Sequence, residues 1–94
     1  MYSKKTTIIN KSGIHARPGS LFVREAKKYA SDITIAKLDE EDKSVKSCSA
    51  KSIALVMAMM IKKDTRVQIS AEGEDEQAAV DGLITLIDAG LDET

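Results

Sequence analysis

The apolar residues of this chain change their spacing from two to three-and-four and back again, and that change limits what it can fold into. Spacing of two lines one face of a strand, and spacing of three and four lines one stripe of a helix. Lys5 to Asn10, rich in Thr and Ile, reads as a strand. Lys11, Ser12 and Gly13 form a turn in which Gly13 can supply a positive φ. A helix follows from about Ala16 to Ala30, with Phe22, Ala26 and Tyr29 in phase and Val23 beside them. Arg24, Lys27 and Lys28 fall outside that stripe.

Ile33 and Ile35 alternate with Thr34 and Ala36 as a half-buried strand. Asp39, Glu40, Glu41 and Asp42 repel one another, which predicts an exposed loop from Leu38 to Ser44. The next strand ends near Ala50, with Cys48 and Ala50 on one face. Ser52 to Ile61 reads as a short helix carrying Ile53, Val56, Met57 and Met60. Arg66 to Ala71 alternates again through Val67, Ile69 and Ala71. The last helix runs from about Glu74 to Ala89 on a stripe of Val80, Leu83, Ile84 and Ile87. Glu74, Asp75 and Glu76 suit the positive end of its dipole, and Gly90 suits its stop.

The order β-α-β-β-α-β-α is an α+β pattern of split β-α-β character. It predicts three helices on one face of a four-stranded sheet, the other face meeting water. The length, 94 residues, suits a single domain over 1–94. Apolar residues at 43% supply a core, although aromatics at 3% leave it to Ile, Val, Leu, Met and Ala. A net charge of −1 argues against a nucleic-acid binder or a partner on an anionic membrane surface. The sole cysteine, Cys48, reads as a small buried residue in a reducing compartment, so a cytoplasmic location is expected. One His and one Cys are too few soft ligands for a metal site, and no cofactor is expected.

His15 is the only histidine and lies between a glycine turn and a helix, in Ser12-Gly13-Ile14-His15-Ala16-Arg17-Pro18. Pro18 fits the first helical turn, where its missing N–H costs little. His15 therefore belongs at or near the N-cap, where free backbone N–H groups favour an anion. A neutral imidazole has a free lone pair that can attack phosphorus. Arg17 adds a guanidinium that can offer paired donors to phosphoryl oxygens. The commonplace alternative is an ordinary surface histidine beside an arginine.

The string Gly13 to Pro18 resembles the active-site signature of the HPr family, the histidine-containing phosphocarriers of the bacterial sugar phosphotransferase system. Ala50-Lys51-Ser52-Ile53 resembles the family's regulatory-serine segment. Ile69 to Glu76 resembles its last strand and the approach to its last helix. These matches occur in the family's order and span nearly the whole chain. The resemblance implies an open-faced β-sandwich and a phosphoryl carrier rather than an enzyme. It implies acceptance on Nδ1 of His15 from Enzyme I, with phosphoenolpyruvate as ultimate donor, and donation to IIA domains of sugar permeases. Arg17 would stabilise the phosphoryl group, and the carrier would act as a monomer. The acidic stretch Asp39 to Asp42 makes its hairpin longer than is usual in the family. Leu55 and Met60 stand where Gram-positive relatives often carry glycines.

Ser52 reads first as an N-cap, since Ser caps well and a helix follows. The resemblance adds regulatory phosphorylation there, with HPr kinase/phosphorylase and a catabolite-control repressor as further partners. It also implies a partner-binding patch of Ile14, Ala16, Ser20, Arg24, Lys27, Ile53, Ala54 and Met57. Two other classes of function compete. A regulatory adaptor working through Ser52 would need neither His15 nor Arg17. A small RNA-binding module would need exposed aromatics and a basic surface; Tyr2, Phe22 and Tyr29 are the only aromatics.

Overall fold

A computed structural model describes residues 1–93. Its elements are β1 (Tyr2–Thr7), α1 (Ala16–Ala26), β2 (Asp32–Leu38), β3 (Ser44–Ser49), α2 (Ile53–Ala58), β4 (Arg66–Glu72) and α3 (Glu76–Asp88). The sheet order is β1-β4-β2-β3, and every neighbouring pair is antiparallel. Alternation decides the faces. Ile33 and Ile35 of β2 and Val67, Ile69 and Ala71 of β4 are buried. Thr34 lies between Ser49 and Ser70 in register, and Ser70 faces Ser3, so the outer face carries a row of hydroxyls. The helices bring Phe22, Val23, Ala26, Val56, Ala79, Val80, Leu83 and Ile87 into one core with the inner strand residues. Among the described residues no helix is long and apolar enough to cross a membrane.

Three elements depart from the sequence reading, each for a local reason. The first strand is Tyr2–Thr7 rather than Lys5 to Asn10. Tyr2 and Lys4 both reach Asp81 of α3, which ties the start of the strand to the helix layer. Beyond Thr7 the chain leaves the ladder, burying Ile8 and Asn10 and exposing Ile9. Helix α1 stops at Ala26, not Ala30. Lys51 Nζ donates to the Tyr29 carbonyl at 2.6 Å, and the Asp75 carboxylate accepts from the N–H groups of Ala30 and Ser31. Those bonds hold an open turn where another helical turn would have run.

Helix α2 is the third departure, ending at Ala58 instead of Ile61. Met60 takes φ 55, a left-handed conformation that terminates the helix. Val56 and, just past the helix end, Met59 enter the core, whereas Ile53, expected in the partner-binding patch, and Met60 are exposed.

The acidic hairpin is an ordered turn, Asp39 to Lys43. Asp39 accepts from the backbone of Glu41 and Lys43 through one carboxylate oxygen. Asp42 forms a two-point pair with Arg66, at 3.1 and 3.0 Å. Like-charge repulsion is therefore offset by backbone donors and by one guanidinium.

Candidate functional site

The segment from Asn10 to Pro18 is built outward from a buried anchor. Ile14 is 0% exposed, and its N–H donates to the Ile61 carbonyl at 3.0 Å. Gly13 takes φ 68, and a Cβ there would lie 2.2 Å from that same carbonyl oxygen. The loop can thus approach the α2–β4 connection only with glycine at this position. Asn10 is 2% exposed; its Nδ2 donates to the Gly13 carbonyl at 2.8 Å and closes the turn.

His15 follows as the N-cap of α1, with extended backbone at φ −147 and ψ 162. Its carbonyl accepts from the Gly19 N–H at 3.2 Å, while its side chain makes no capping bond. The imidazole is therefore presented to solvent at the open end of the helix. Ala16 takes φ 49, which costs an alanine about 1–2 kcal/mol. The surrounding bonds at Gly13, Ile14 and Gly19 over-determine the path and hold it there.

Arg17 and Pro18 open the helix. Arg17 is exposed and, with Ser20 and Arg24, lines one side of a groove of about 580 Å³. Leu91, Asp92 and Glu93 line the other side. The groove is thus basic on the helix side and acidic on the other, and His15 lies outside it.

The proposed patch divides in two. Ala16, Ser20 and Arg24 on α1 and Lys27 at its C-cap are exposed, and Ile53 and Ala54 are exposed on α2. Met57 is half-buried against Gly19, where a Cβ would meet its Cε at 2.6 Å, so the two helices touch closely at this point. Ile14 does not belong to that surface. It is wholly buried and supports His15 from beneath, because its N–H and side chain both point into the Ile61 contact and the core. Leu55 and Met60, 52% and 60% exposed, enlarge the apolar surface instead. Helical spacing concealed Met60, since it falls in phase with Val56 but lies past the helix end.

Ser52 is the N-cap of α2, and its Oγ accepts from the Leu55 N–H at 3.3 Å. Cys48 is half-buried beside Met59, and burial pushes its thiol pKa up. Sequence reading missed Glu93, whose carboxylate accepts from the Ser12 N–H and Oγ and from Asn10 Nδ2.

A family model described as the PTS HPr component phosphorylation site matches residues 2–89. The phosphocarrier protein HPr of Haemophilus influenzae is 44% identical over 87 residues, 93% of this chain and 95% of that protein. A multiphosphoryl transfer protein of Vibrio cholerae is 43% identical over 86 residues, 92% of this chain and 21% of that protein. The crystal structure of HPr-C-His from Thermoanaerobacter tengcongensis matches with a TM-score of 0.89 at 37% identity, covering 100% of this chain and 99% of that one. The exposed histidine at the start of α1 thus sits on a fold and a sequence shared with carriers of phosphoryl groups, and the chain belongs to the HPr phosphocarrier family of the phosphotransferase system.

Proposed function

We propose that His15 accepts a phosphoryl group from Enzyme I and passes it to IIA domains of sugar permeases. The observation that carries this reading is the exposed ring of His15 at the N-cap of α1, on a backbone held from both sides. The lone pair of a neutral imidazole nitrogen, Nδ1 by family resemblance, attacks phosphorus. A P–N bond forms as the bond from phosphorus to the donor breaks, and the proton on the other ring nitrogen stays in place. Phosphoryl transfer asks the protein mainly for position and charge stabilisation. Arg17 supplies a cation two residues away, and free N–H groups at the helix start favour the dianionic product.

Ala16, Ser20 and Arg24 on α1, Lys27 at its C-cap and Ile53, Ala54 and Met57 on α2 form the docking surface, with Leu55 and Met60 added by their exposure. An adaptable, methionine-bearing surface suits a carrier that meets successive partners. Ser52, at the edge of this surface, is the site of regulatory phosphorylation by an HPr kinase/phosphorylase, which would also bring a catabolite-control repressor.

Incubation with Enzyme I and phosphoenolpyruvate tests the acceptor. The wild type should gain one phosphoryl group by intact mass and lose it in acid, as a phosphohistidine does and a phosphoserine does not. His15→Ala should gain none while keeping its fold. Arg17→Ala should slow transfer far more than it lowers stability, and Arg17→Lys should recover only part of the rate, because lysine lacks the planar fork. Phosphorylation of His15→Ala at the normal rate would overturn the assignment.

A further inference from the structure

We propose that Glu93 is a positioning residue for phosphoryl transfer, clamping the Asn10–Gly13 turn and so fixing the backbone that carries His15. This rests on His15 being the acceptor. The carboxylate takes three donors from the turn: the Ser12 N–H at 2.6 Å, the Ser12 Oγ at 2.7 Å and Asn10 Nδ2 at 3.1 Å. Three converging donors hold the carboxylate in place as well as themselves. The same Asn10 amide reaches the Gly13 carbonyl, and Gly13 N–H returns to the Asn10 carbonyl at 3.2 Å. Glu93 therefore joins a closed ring of bonds that ends two residues before His15.

The segment after α3 is shaped to deliver this contact. Gly90, Leu91 and Asp92 take φ values of 90, 50 and 61 in succession. Leucine and aspartate seldom adopt that conformation, and it persists only where other contacts impose it. Leu91 is 1% exposed and locked in the core, and Glu93 N–H donates to the Gly90 carbonyl at 2.9 Å. The chain is thus folded back so that Glu93 points at Ser12.

The His15 side chain makes no capping bond of its own, so the direction of the ring depends on the backbone beneath it. That backbone is held at Ile14 by the Ile61 carbonyl on one side and at Ser12 by Glu93 on the other. The charge of Glu93 is not the useful property. A carboxylate on the Asn10–Gly13 turn adds negative charge to the loop that receives an anionic phosphoryl group. The role is geometric, and a neutral side chain of the same shape should fill it.

Glu93→Gln keeps an oxygen for Ser12 N–H and Asn10 Nδ2 and turns an amide donor toward Ser12 Oγ, whereas Glu93→Ala removes the clamp. Steady-state phosphorylation by Enzyme I and phosphoenolpyruvate is measured for both beside the wild type. Asp75→Ala, which loosens the turn after α1, serves as a control for general destabilisation. In Glu93→Ala the maximal rate should fall about tenfold, within the range a small misplacement of a reacting group produces. Its apparent KM for the carrier should stay within about twofold, and Glu93→Gln should react within about twofold of the wild type. Asp75→Ala should melt earlier yet react at the normal maximal rate. A wild-type rate in Glu93→Ala would overturn the proposal, as would a Glu93→Gln rate as low as that of Glu93→Ala. Failure of the wild type itself to accept phosphate on His15 would overturn the acceptor reading and this one with it.

Discussion

Gly13 shows how a single position without a side chain sets the site. Its φ of 68 was foreshadowed by the turn sequence, but its contact with Ile61 was not, because nothing in the local string names a partner 48 positions away. Ala16, at φ 49, gave no signal at all, since alanine does not mark a left-handed backbone. Gly13→Ala forces a Cβ against the Ile61 carbonyl oxygen at 2.2 Å in a conformation alanine dislikes. It should cost about 1–3 kcal/mol from the backbone alone and more from displacing the carbonyl that holds Ile14. It should also slow phosphorylation of His15, since the same carbonyl anchors the loop. Urea unfolding checks the first effect, and a loss below about 0.5 kcal/mol, ordinary for a surface change, would contradict it.

At the scale of elements, periodicity identified the order of strands and helices and the inner faces of β2, β4, α1 and α3. It succeeded because those segments bury one face along their whole length. It was least informative at α2, which has only six residues and buries just Val56 of them, with Met59 following at the C-cap. The spacing of Ile53, Val56, Met57 and Met60 did not say which of them face outward; Ile53 and Met60 do. The Ser12–Glu93 clamp was illegible for a different reason: its partners are 81 positions apart. The cap of α2 was legible from Ser52 alone, and its bond to Leu55 N–H at 3.3 Å is long. Ser52→Ala should therefore sit near the low end of the usual cap loss of about 0.5–2 kcal/mol and leave phosphorylation near normal. Ser52→Asp should keep the cap but weaken docking of Enzyme I, because it places a charge beside exposed Ile53 and half-buried Met57. Raised salt should restore part of the affinity, since exposed charges are screened over about 8–10 Å. Unchanged apparent affinity in Ser52→Asp would leave Ser52 as a helix cap only.

At the scale of the whole molecule, carboxylates fasten segments that the core alone does not. Asp42 joins the β2–β3 turn to Arg66 of β4. Asp75 joins the start of α3 to the turn after α1, Asp81 joins α3 to Tyr2 and Lys4, and Glu93 joins the segment after α3 to Ser12. Each is held below its ordinary pKa: Asp42 by the Arg66 hydrogen bond, Asp75 by Ser31, Asp81 by Lys4 and Glu93 by the Ser12 backbone. A carboxylate depressed in the folded state binds its proton more readily in the unfolded chain. Its stabilisation is therefore present above the unfolded pKa and lost as pH falls through the folded one. Stability should be nearly flat from neutrality to about pH 5, then decline as pH drops past the ordinary values of 4.5 for Glu93 and 3.8 for the aspartates. Each pair is exposed, so the effect of any one is small and should shrink at high salt. Replacing Asp42 and Asp75 together by Asn should lower stability at pH 7 and flatten the decline toward pH 3, because the variant has fewer protons to take up on unfolding. The check is the urea midpoint from pH 7 to pH 3 for both proteins. Parallel curves, with the same drop on acidification, would show that these carboxylates do not carry the acid sensitivity.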